Sequence, residues 1–278
     1  MIFLLDLLKQ GKKTSVFYSP ATEEKVILEN DLLVPFLYGE NVRRYFISET
    51  VKYLLFPYQA GERGMELIFS REMSQKYPRI FDYLSRCKKL LMKRKVKLTS
   101  KDFYRYSAAR SLSGYRHPKI MIPDMLVSLR IGYDSDGELF HGPAIHSVVF
   151  KSLPEGVSEK FYLALLNSKV FWFFLSHTST ALRGNAYRLT PEFIGPFCFP
   201  SPLNEKGNVK KQHDRLTSLV DQMLSAQAKR QASISESDRQ LTEQRIAILD
   251  RQIDTLVYEL YDLTEEERGI VEGENANR

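Results

Sequence analysis

The chain has 278 residues, of which 43% are hydrophobic, and its 40 Lys and Arg residues exceed its 34 Asp and Glu residues by six. This composition suffices for at least one large buried core and excludes a wholly disordered chain. Cys87 and Cys198 stand far apart, so neither a disulfide framework nor a zinc-binding cysteine pair is predicted. The sparse cysteine favours a reducing, cytoplasmic location.

Two apolar stretches are too short or too polar to predict membrane spans. The first ten residues contain Asp6 and lack a preceding basic region, which favours a short strand or amphipathic helix over a signal peptide. Asn167 and Lys169 interrupt the second stretch, residues 161–175, which predicts a buried core helix. We therefore expect no membrane partner.

The positive charge is unevenly distributed along the chain. Residues 1–200 hold 29 Lys and Arg and 19 Asp and Glu, whereas residues 201–278 hold 11 and 15. A positive field of this kind attracts polyanions, and Lys or Arg contacts to phosphates release counterions when DNA binds. The alternative is ordinary solubility charge.

The first two hundred residues combine strand and helix signals. Helical windows are predicted at residues 74–93 and 159–175, the second with Ser158 as its N-cap. Short β-branched or aromatic runs between turn formers predict strands at residues 26–28, 53–56, 67–69, 119–122 and 147–150.

A hairpin turn is predicted at Asp136–Gly137, within the DSDGELFHGP segment. A calcium loop or a nuclease metal site is the alternative for the carboxylates of Asp134, Asp136 and Glu138. They lack the remaining ligands of a twelve-residue calcium loop, so the turn is preferred.

The hydrophobic period changes across residues 201–212, which predicts two domains, residues 1–204 and 205–278. Ser235 or Ser237 is a candidate N-cap between two helices, and Thr264 with Glu267 forms a capping-box signature. The apolar stripes of those helices are Leu216, Leu219, Val220, Met223 and Leu224, and Ile246, Leu249, Ile253, Leu256, Val257 and Leu260.

The predicted fold class is therefore α+β: a mixed α/β domain followed by a C-terminal antiparallel helical hairpin. The hairpin cannot bury both stripes alone, so it must pack on the first domain, on a partner protein or on a second copy. A dimeric coiled coil is the alternative.

Residues 87–110 form the most basic segment, with nine Lys and Arg residues and a single acid, Asp102. Phe103, Tyr104 and Tyr106 lie among them, and such mixtures favour contacts with phosphates, sugars and base edges. A solvated helix followed by a loop is the alternative.

A second candidate is the loop at Arg183, Gly184 and Asn185, followed by Tyr187 and Arg188. Glycine admits close backbone approach, Arg pairs with guanine, and Asn pairs with adenine, so base readout is one interpretation. A structural turn is the other.

No catalytic motif is recognised in the sequence. It contains no glycine-rich loop for S-adenosylmethionine, no Asn/Asp-Pro-Pro-aromatic tetrapeptide and no Walker loop. The five histidines have no metal-binding spacing. We predict no catalytic residue, no metal and no cofactor in this chain.

Five segments, in this order and spacing, resemble the TaqI-like C-terminal specificity domain of adenine-N6 methyltransferases, as found in type IIG restriction-modification enzymes and BREX phage-defence methyltransferases. The segments are VPFLYGENVRRYF (34–46), YLSRCKKLLMKR (83–94) with DFYRYSAAR behind it, HPKIMIPDM (117–125) leading to DGELF (136–140), FYLALLNSKVFWFFL through RGNAYRLTPEFIGPFCFP (161–200), and IDTLVYELYDLTEEERGIVEG (253–273).

The resemblance implies a target-recognition domain that selects a sequence in double-stranded DNA. In that family, S-adenosylmethionine binding and adenine flipping belong to a preceding methyltransferase domain, so S-adenosylmethionine and Mg are expected only in a partner or a missing domain. The chain would be a detached specificity module, a truncated product or a subunit of a methyltransferase or nuclease. Homodimerisation through the hairpin is a further expectation.

Mapped onto this sequence, the resemblance points to Arg43 and Arg44, Arg105 and Arg110, Lys119, and Arg183 with Gly184, while Gly39 is expected to shape a turn. With the two segments above, the candidate DNA-binding residues are Arg43, Arg44, Lys93, Arg94, Lys95, Lys97, Lys101, Tyr104, Arg105, Tyr106, Arg110, Lys119, Arg183, Gly184, Asn185, Tyr187 and Arg188.

Three functions stay open at this point. The chain is a DNA-recognition module without catalysis, a DNA-modifying enzyme fragment or subunit (an adenine-N6 methyltransferase or endonuclease), or a protein-interaction adaptor acting through the helical hairpin. DNA binding as a function of salt separates the first from the third, and activity with Mg and S-adenosylmethionine tests the second.

Overall fold

The computed structural model describes residues 2–62, 64–107, 112–201 and 209–273. The strands are β1 (Leu4–Lys9), β2 (Thr14–Ser19), β3 (Glu24–Glu29), β4 (Leu33–Leu37), β5 (Val42–Arg43), β6 (Phe46–Ile47), β7 (Lys52–Leu55), β8 (Tyr58–Gly61), β9 (Gly64–Leu67), β10 (Lys119–Pro123), β11 (Met125–Leu126), β12 (Gly132–Asp134), β13 (Phe140–His141), β14 (Ile145–Val148), β15 (Ala181–Leu182) and β16 (Ala186–Arg188). The helices are α1 (Ser70–Lys76), α2 (Pro78–Arg86), α3 (Lys88–Met92), α4 (Glu159–Leu166), α5 (Lys169–Thr178), α6 (Pro191–Ile194), α7 (Val209–Ala232), α8 (Glu236–Leu260) and α9 (Glu265–Glu272).

These elements confirm the predicted α+β class, because helices make up 42% of the structure and strands 23%, with helices α7–α9 following the sheet-rich part. The chain forms two compact units. The first comprises Met1–Leu37, Glu49–Pro118 and Ser135–Gly142, and the second comprises Tyr38–Ser48, Lys119–Asp134 and Pro143–Arg278. The predicted domain boundary after residue 204 falls in the undescribed residues 202–208 and stays a prediction.

The first unit is built on a six-stranded sheet in the order β13-β4-β7-β1-β2-β3. All neighbours are antiparallel except β13 and β4, which are parallel. Leu5, Phe17 and Leu28 from this sheet form one hydrophobic core with side chains of the short helices α1–α3. The apolar N-terminal run is thus a strand, because alternate residues of β1 face this core.

The helical window predicted at residues 74–93 is divided into three helices. Pro78 begins α2, and a proline restricts the residue before it, so Tyr77 leaves the helical region with φ −132° and ψ 61°. The side chain of Glu29 accepts the backbone N–H groups of Arg79 and Ile80, each at 2.9 Å, and so caps the first turn of α2.

The second unit combines three-stranded sheets with helices α4–α9. Strand β10 lies between β12 and β14, and β16 lies between β11 and β15. The short strands β5 and β6 form a separate antiparallel pair. Side chains of β10 and of the helices share one core that includes Ile120, Phe161 and Leu216.

The helix predicted at residues 159–175 is interrupted at Asn167 and Ser168. Asn167 ends α4, and Ser168 begins α5 by accepting the N–H of Phe171 at 3.2 Å. The predicted N-cap Ser158 is confirmed, because its hydroxyl accepts the N–H of Lys160 at 3.2 Å.

Helices α7 and α8 form the predicted antiparallel hairpin. Arg245 bonds to Gln222 at 2.5 Å and Arg230 bonds to Glu243 at 2.9 Å, so one helix descends as the other rises. Their apolar stripes lie in the same core as α4 and α5, which cover them within the unit. Ser235 is the N-cap of α8, and the Thr264 capping box begins α9 as predicted.

The predicted turn at Asp136–Gly137 is present, but it does not close a hairpin. Its flanking strands differ in partner, since β12 pairs with β10 and β13 pairs with β4. Gly137 has φ +68°, and a Cβ atom there would lie 2.6 Å from the backbone carbonyl carbon of His117. Both the dihedral angle and the close approach therefore require glycine.

We expect Gly137→Ala to lower the free energy of unfolding by about 2 kcal/mol or more, because the cost of a left-handed dihedral angle adds to the cost of a steric clash with the backbone of His117. Chemical denaturation monitored by circular dichroism measures this change. Gly114→Ala is the matched control, since a Cβ there meets no atom within 4 Å. Equal stability of the two variants would contradict the steric requirement.

Candidate nucleic-acid interface

In the first unit, the basic segment leaves α3 and continues as a loop whose shape depends on Arg94. Its guanidinium donates to the carbonyl oxygens of Leu91 at 2.9 Å, Phe103 at 2.7 Å and Arg105 at 2.8 Å. Burial lowers the pKa of Arg94 below its usual value. Arg94 therefore holds both ends of the loop together, and its predicted DNA contact stays a prediction.

Arg105 and Asp102 fix the inner part of the same loop. The carboxylate of Asp102 accepts from the hydroxyl and the N–H of Thr99, both at 2.6 Å, and these bonds lower its pKa. Arg105 donates to the carbonyl oxygen of Lys97 at 2.7 Å. The single acid of this segment is thus engaged with the backbone and with Arg105, whose Nε lies 3.6 Å from it.

The predicted aromatic contacts with bases are not supported by the positions of Tyr104 and Tyr106. Tyr104 is fully buried and donates to the carbonyl oxygen of Ile68 at 2.7 Å. Tyr106 donates to the carbonyl oxygen of Leu55 at 2.6 Å, and burial raises its pKa well above the usual value. Both rings are part of the hydrophobic core of the unit, and their hydroxyl hydrogen bonds attach the loop to that core.

The loop that follows α3 carries four exposed lysines: Lys93, Lys95, Lys97 and Lys101. None forms an ion pair with another residue in the described part of the chain. Arg110 lies outside the described residues. The segment thus presents ammonium groups on a loop that internal hydrogen bonds hold in shape.

In the second unit, Arg43 and Arg44 have different surroundings. Arg43 is exposed in β5, whereas Arg44 forms an ion pair with Asp250 of α8 and donates to the carbonyl oxygen of Asn167 at 2.6 Å. Although desolvation lowers the pKa of Arg44, nearby acidic groups raise it overall. Arg44 therefore joins secondary-structure elements, and its predicted DNA contact stays a prediction.

Lys119 is also removed from the surface. Its side chain is fully buried in β10, and its Nζ lies 2.6 Å from Oδ2 of the buried Asp134 in β12. Burial lowers the pKa of Lys119, and Asp134 opposes that shift. Because its ammonium group is buried and paired with Asp134, we assign Lys119 to the core of the sheet, and its predicted DNA contact stays a prediction.

The predicted loop at Arg183 is the tip of a β-hairpin. Strands β15 and β16 pair through Leu182 and Ala186, and the tip has φ +80° at Gly184 and +56° at Asn185. The ring of Tyr187 packs edge-on against Trp172, with centroids 5.5 Å apart, and is half-buried. The side chains of Arg183, Asn185 and Arg188 are exposed, so the hairpin presents two cations and an amide.

Arg130 is a basic residue that the sequence analysis missed. It precedes Ile131, whose carbonyl oxygen accepts the N–H of Tyr45 at 3.0 Å, so its segment runs beside the β5–β6 turn. Burial and the charge of Arg43 lower the pKa of Arg130. In the sequence, Arg130 is a single arginine between Leu129 and Ile131, and this pattern does not distinguish a functional residue from the end of an ordinary strand.

A buried carboxyl group lies on the inner side of this unit. Asp254 of α8 accepts the N–H of Lys169 at 3.0 Å, at the first turn of α5. Burial raises the pKa of Asp254 to about 6, although this N–H and the charge of Arg44 oppose the shift. The charged carboxylate is therefore retained at neutral pH at a cost in stability.

We expect Asp254→Asn to stabilise the chain at pH 7.5 by about 2 kcal/mol, because the amide oxygen keeps the bond from Lys169 without the buried charge. The stability that protonated Asp254 contributes is full below pH 3.8 and is lost as the pH rises through about 6. The gain from the variant should therefore disappear near pH 4. Thermal or urea unfolding across this range measures it.

Asp250→Asn, one turn earlier on the same helix, is the matched control. It removes the charge that pairs with Arg44, so it should lower stability at pH 7.5. A loss of stability in both variants at that pH would contradict the assignment of a raised pKa to Asp254.

Among the described residues, no group of three or more His, Cys, Asp and Glu side chains is arranged to hold a metal ion. Within the same ranges, no helix has the length and apolar character that crossing a membrane requires.

The profile of the family described as the TaqI-like C-terminal specificity domain matches residues 34–197, which is more than half of the chain. Among solved structures, the chain is similar to the type IIL restriction-modification enzyme MmeI, whose structure was determined in complex with DNA. The TM-score is 0.52 at 15% identity, over 84% of this chain and 28% of the MmeI chain. At this identity, the likeness shows the fold alone.

The chain is also similar to the type IIG restriction endonuclease BpuSI, with a TM-score of 0.43 at 17% identity, over 83% of this chain and 26% of that chain. It thus spans just over a quarter of the length of either enzyme. No curated protein matches it.

Proposed function

The chain belongs to the TaqI-like C-terminal specificity domain family, and from this premise we propose that it selects a sequence in double-stranded DNA for a restriction-modification system. The observation that carries the proposal is that seven basic residues among the candidate DNA-binding residues are exposed and form no ion pair with any described residue. They are Lys93, Lys95, Lys97 and Lys101 in the first unit and Arg43, Arg183 and Arg188 in the second.

The lysines of the basic segment are suited to phosphate contacts. A lysine is a compact charge on a flexible stem, so it neutralises phosphate without a fixed geometry. Here the bonds of Arg94 and Arg105 order the backbone that carries these lysines, which reduces the entropy lost on binding. Such contacts position the protein on the duplex and do not choose a sequence.

Base selection is proposed for the β15–β16 hairpin. Its tip joins Arg183, which can donate to guanine, and Asn185, which can pair with adenine. Gly184 lets the backbone turn there with positive φ, and no atom lies within 4 Å of where its Cβ would be. The hairpin is attached to the unit through pairing of β16 with β11 and through packing of Tyr187 on Trp172.

Catalysis is proposed to come from elsewhere in such a system. We propose that the chain acts with a methyltransferase or nuclease catalytic domain or subunit, and that S-adenosylmethionine and Mg are used there. An adenine-specific methyltransferase of the type IIG or phage-defence class is the form suggested by the resemblance. Homodimerisation through α7 and α8 and a cytoplasmic location stay predictions.

Binding of the full chain to random duplex DNA tests this function. We expect binding at low salt, with the logarithm of the affinity falling linearly with the logarithm of salt concentration. Changing Lys93, Lys95, Lys97 and Lys101 together to Ala should weaken binding to all sequences equally. The salt slope should fall by about 1 for each lysine that contacts a phosphate.

The control variant changes four other exposed lysines of the same unit, Lys9, Lys12, Lys13 and Lys25, to Ala. It removes the same charge, so it separates local contacts from the overall field. Equal loss in both variants would contradict the assignment to the basic segment. Absence of binding by the unaltered chain at low salt would refute the proposed function itself.

A further inference from the structure

Two apolar side chains protrude from the second unit between β10 and β12. Met125 is 52% exposed and Val127 is 59% exposed, and both lie in the 125–130 segment, which ends at Arg130. Isolated apolar residues are common on protein surfaces, but here the pair is bordered by arginines. The segment is therefore a candidate contact element with a mixed apolar and cationic surface.

The segment is fixed at one end by backbone hydrogen bonds and at the other by the side-chain amide of Asn167. Before it, the N–H of Asp124 donates to Ala144 at 3.0 Å, and the carbonyl oxygen of Asp124 accepts from Leu189 at 2.8 Å. After it, the buried amide of Asn167 accepts the N–H of Ile131 at 3.3 Å and donates to its carbonyl oxygen at 2.9 Å. The exposure of Met125 and Val127 is thus imposed by the fold and is not a property of a loose loop.

Two arginines lie beside Met125, and a third lies near one of them. Arg188 is the strand partner of Met125, and Nη2 of Arg130 lies 3.4 Å from the carbonyl oxygen of Met125. Arg43 is close enough to Arg130 to lower the pKa of that guanidinium, after burial. Among the described residues, no acidic side chain forms an ion pair with any of these three arginines. The carboxylate of Asp124 instead faces His146 at 3.4 Å.

We infer that the 125–130 segment enters a groove of double-stranded DNA, where Met125 and Val127 contact the methyl groups of thymines and Arg43 and Arg130 contact phosphates. This inference rests on the proposed function and adds specificity-determining residues to it. In the major groove, the thymine methyl group is the apolar feature of the base edges, and apolar side chains recognise it.

Charge decides between DNA and a protein as the occupant. Three guanidinium groups without acidic partners repel one another, and a polyanion relieves that repulsion along its whole length. The rigid backbone also fits this role, because base contacts require side chains held in a fixed register. The apolar residues then supply contacts that depend on the base.

The first experiment selects duplexes from a library with a randomised central segment, using the full chain, and determines the preferred sequence. Each thymine in that sequence is then replaced by deoxyuridine, which lacks the methyl group. We expect the affinity of the unaltered chain to fall about fourfold at one or more positions, as for the loss of one buried methyl group. No loss at any thymine would overturn the inference.

The second experiment repeats the measurement with Met125→Gln and Val127→Thr. Each variant should lose the difference between thymine and deoxyuridine at the position it contacts, while the salt slope stays unchanged. Leu8→Gln and Val51→Thr are matched controls, because these residues of the first unit are 51% and 61% exposed. They should keep the difference. If the Met125 and Val127 variants also keep the difference in affinity between thymine and deoxyuridine, the proposed base contact is overturned, whether or not these variants alter association with another protein.

Arg43→Gln and Arg130→Gln test the phosphate contacts separately. Each should lower affinity for every duplex and reduce the salt slope by about 1, without changing the preferred sequence. Unchanged affinity, with or without a change in melting temperature, would overturn their assignment. Failure of the unaltered chain to bind any duplex would refute the proposed function, whereas binding with unchanged variants would refute only this inference.

Discussion

The second unit depends on one buried amide, that of Asn167. This side chain holds Ile131 through both its N–H and its carbonyl oxygen, while the backbone oxygen of Asn167 accepts from Arg44. Arg44 also forms an ion pair with Asp250 on α8, and the backbone N–H of the adjacent Tyr45 donates to the same carbonyl oxygen of Ile131. Leaving such groups unpaired in the interior costs about 1–3 kcal/mol each, so the arrangement is strongly preferred over alternatives. One junction between two helices thus fixes the segment that carries the exposed Arg43 and the segment that carries the half-buried Arg130.

The basic residues of this chain divide by chemistry as well as by position. Arg94 and Arg44 each donate to backbone oxygens, a task suited to a planar group with five N–H donors. Among the described residues, Lys93, Lys95, Lys97 and Lys101 make no such bonds with their side chains. The residues of a basic segment therefore have different roles, because its arginines can form hydrogen bonds within the loop while its lysines are exposed on the surface of that loop.

Local signals in the sequence were sufficient for the helical hairpin and for caps such as Ser158, since periodicity and capping act within a few residues. The fates of individual charges were not predictable in this way. Arg44 meets Asp250 across 206 positions of sequence, and Lys119 meets Asp134 only because β10 and β12 pair in that register. Whether a charged side chain is buried depends on the partner that it meets in the fold, and a local sequence pattern does not identify that partner.

The alternation of the two units along the chain has a consequence for protein engineering. The second unit takes residues 38–48 and 119–134 from within the first, and these two excursions carry Arg43 and Arg130. In a hybrid of two related chains, a junction before residue 38 takes the whole second unit from one parent. A junction after residue 142 takes the whole first unit from one parent. No single junction within the chain leaves both units intact, and a hybrid with its junction after residue 142 combines the arginine-bearing excursions of one parent with helices α4–α9 of the other.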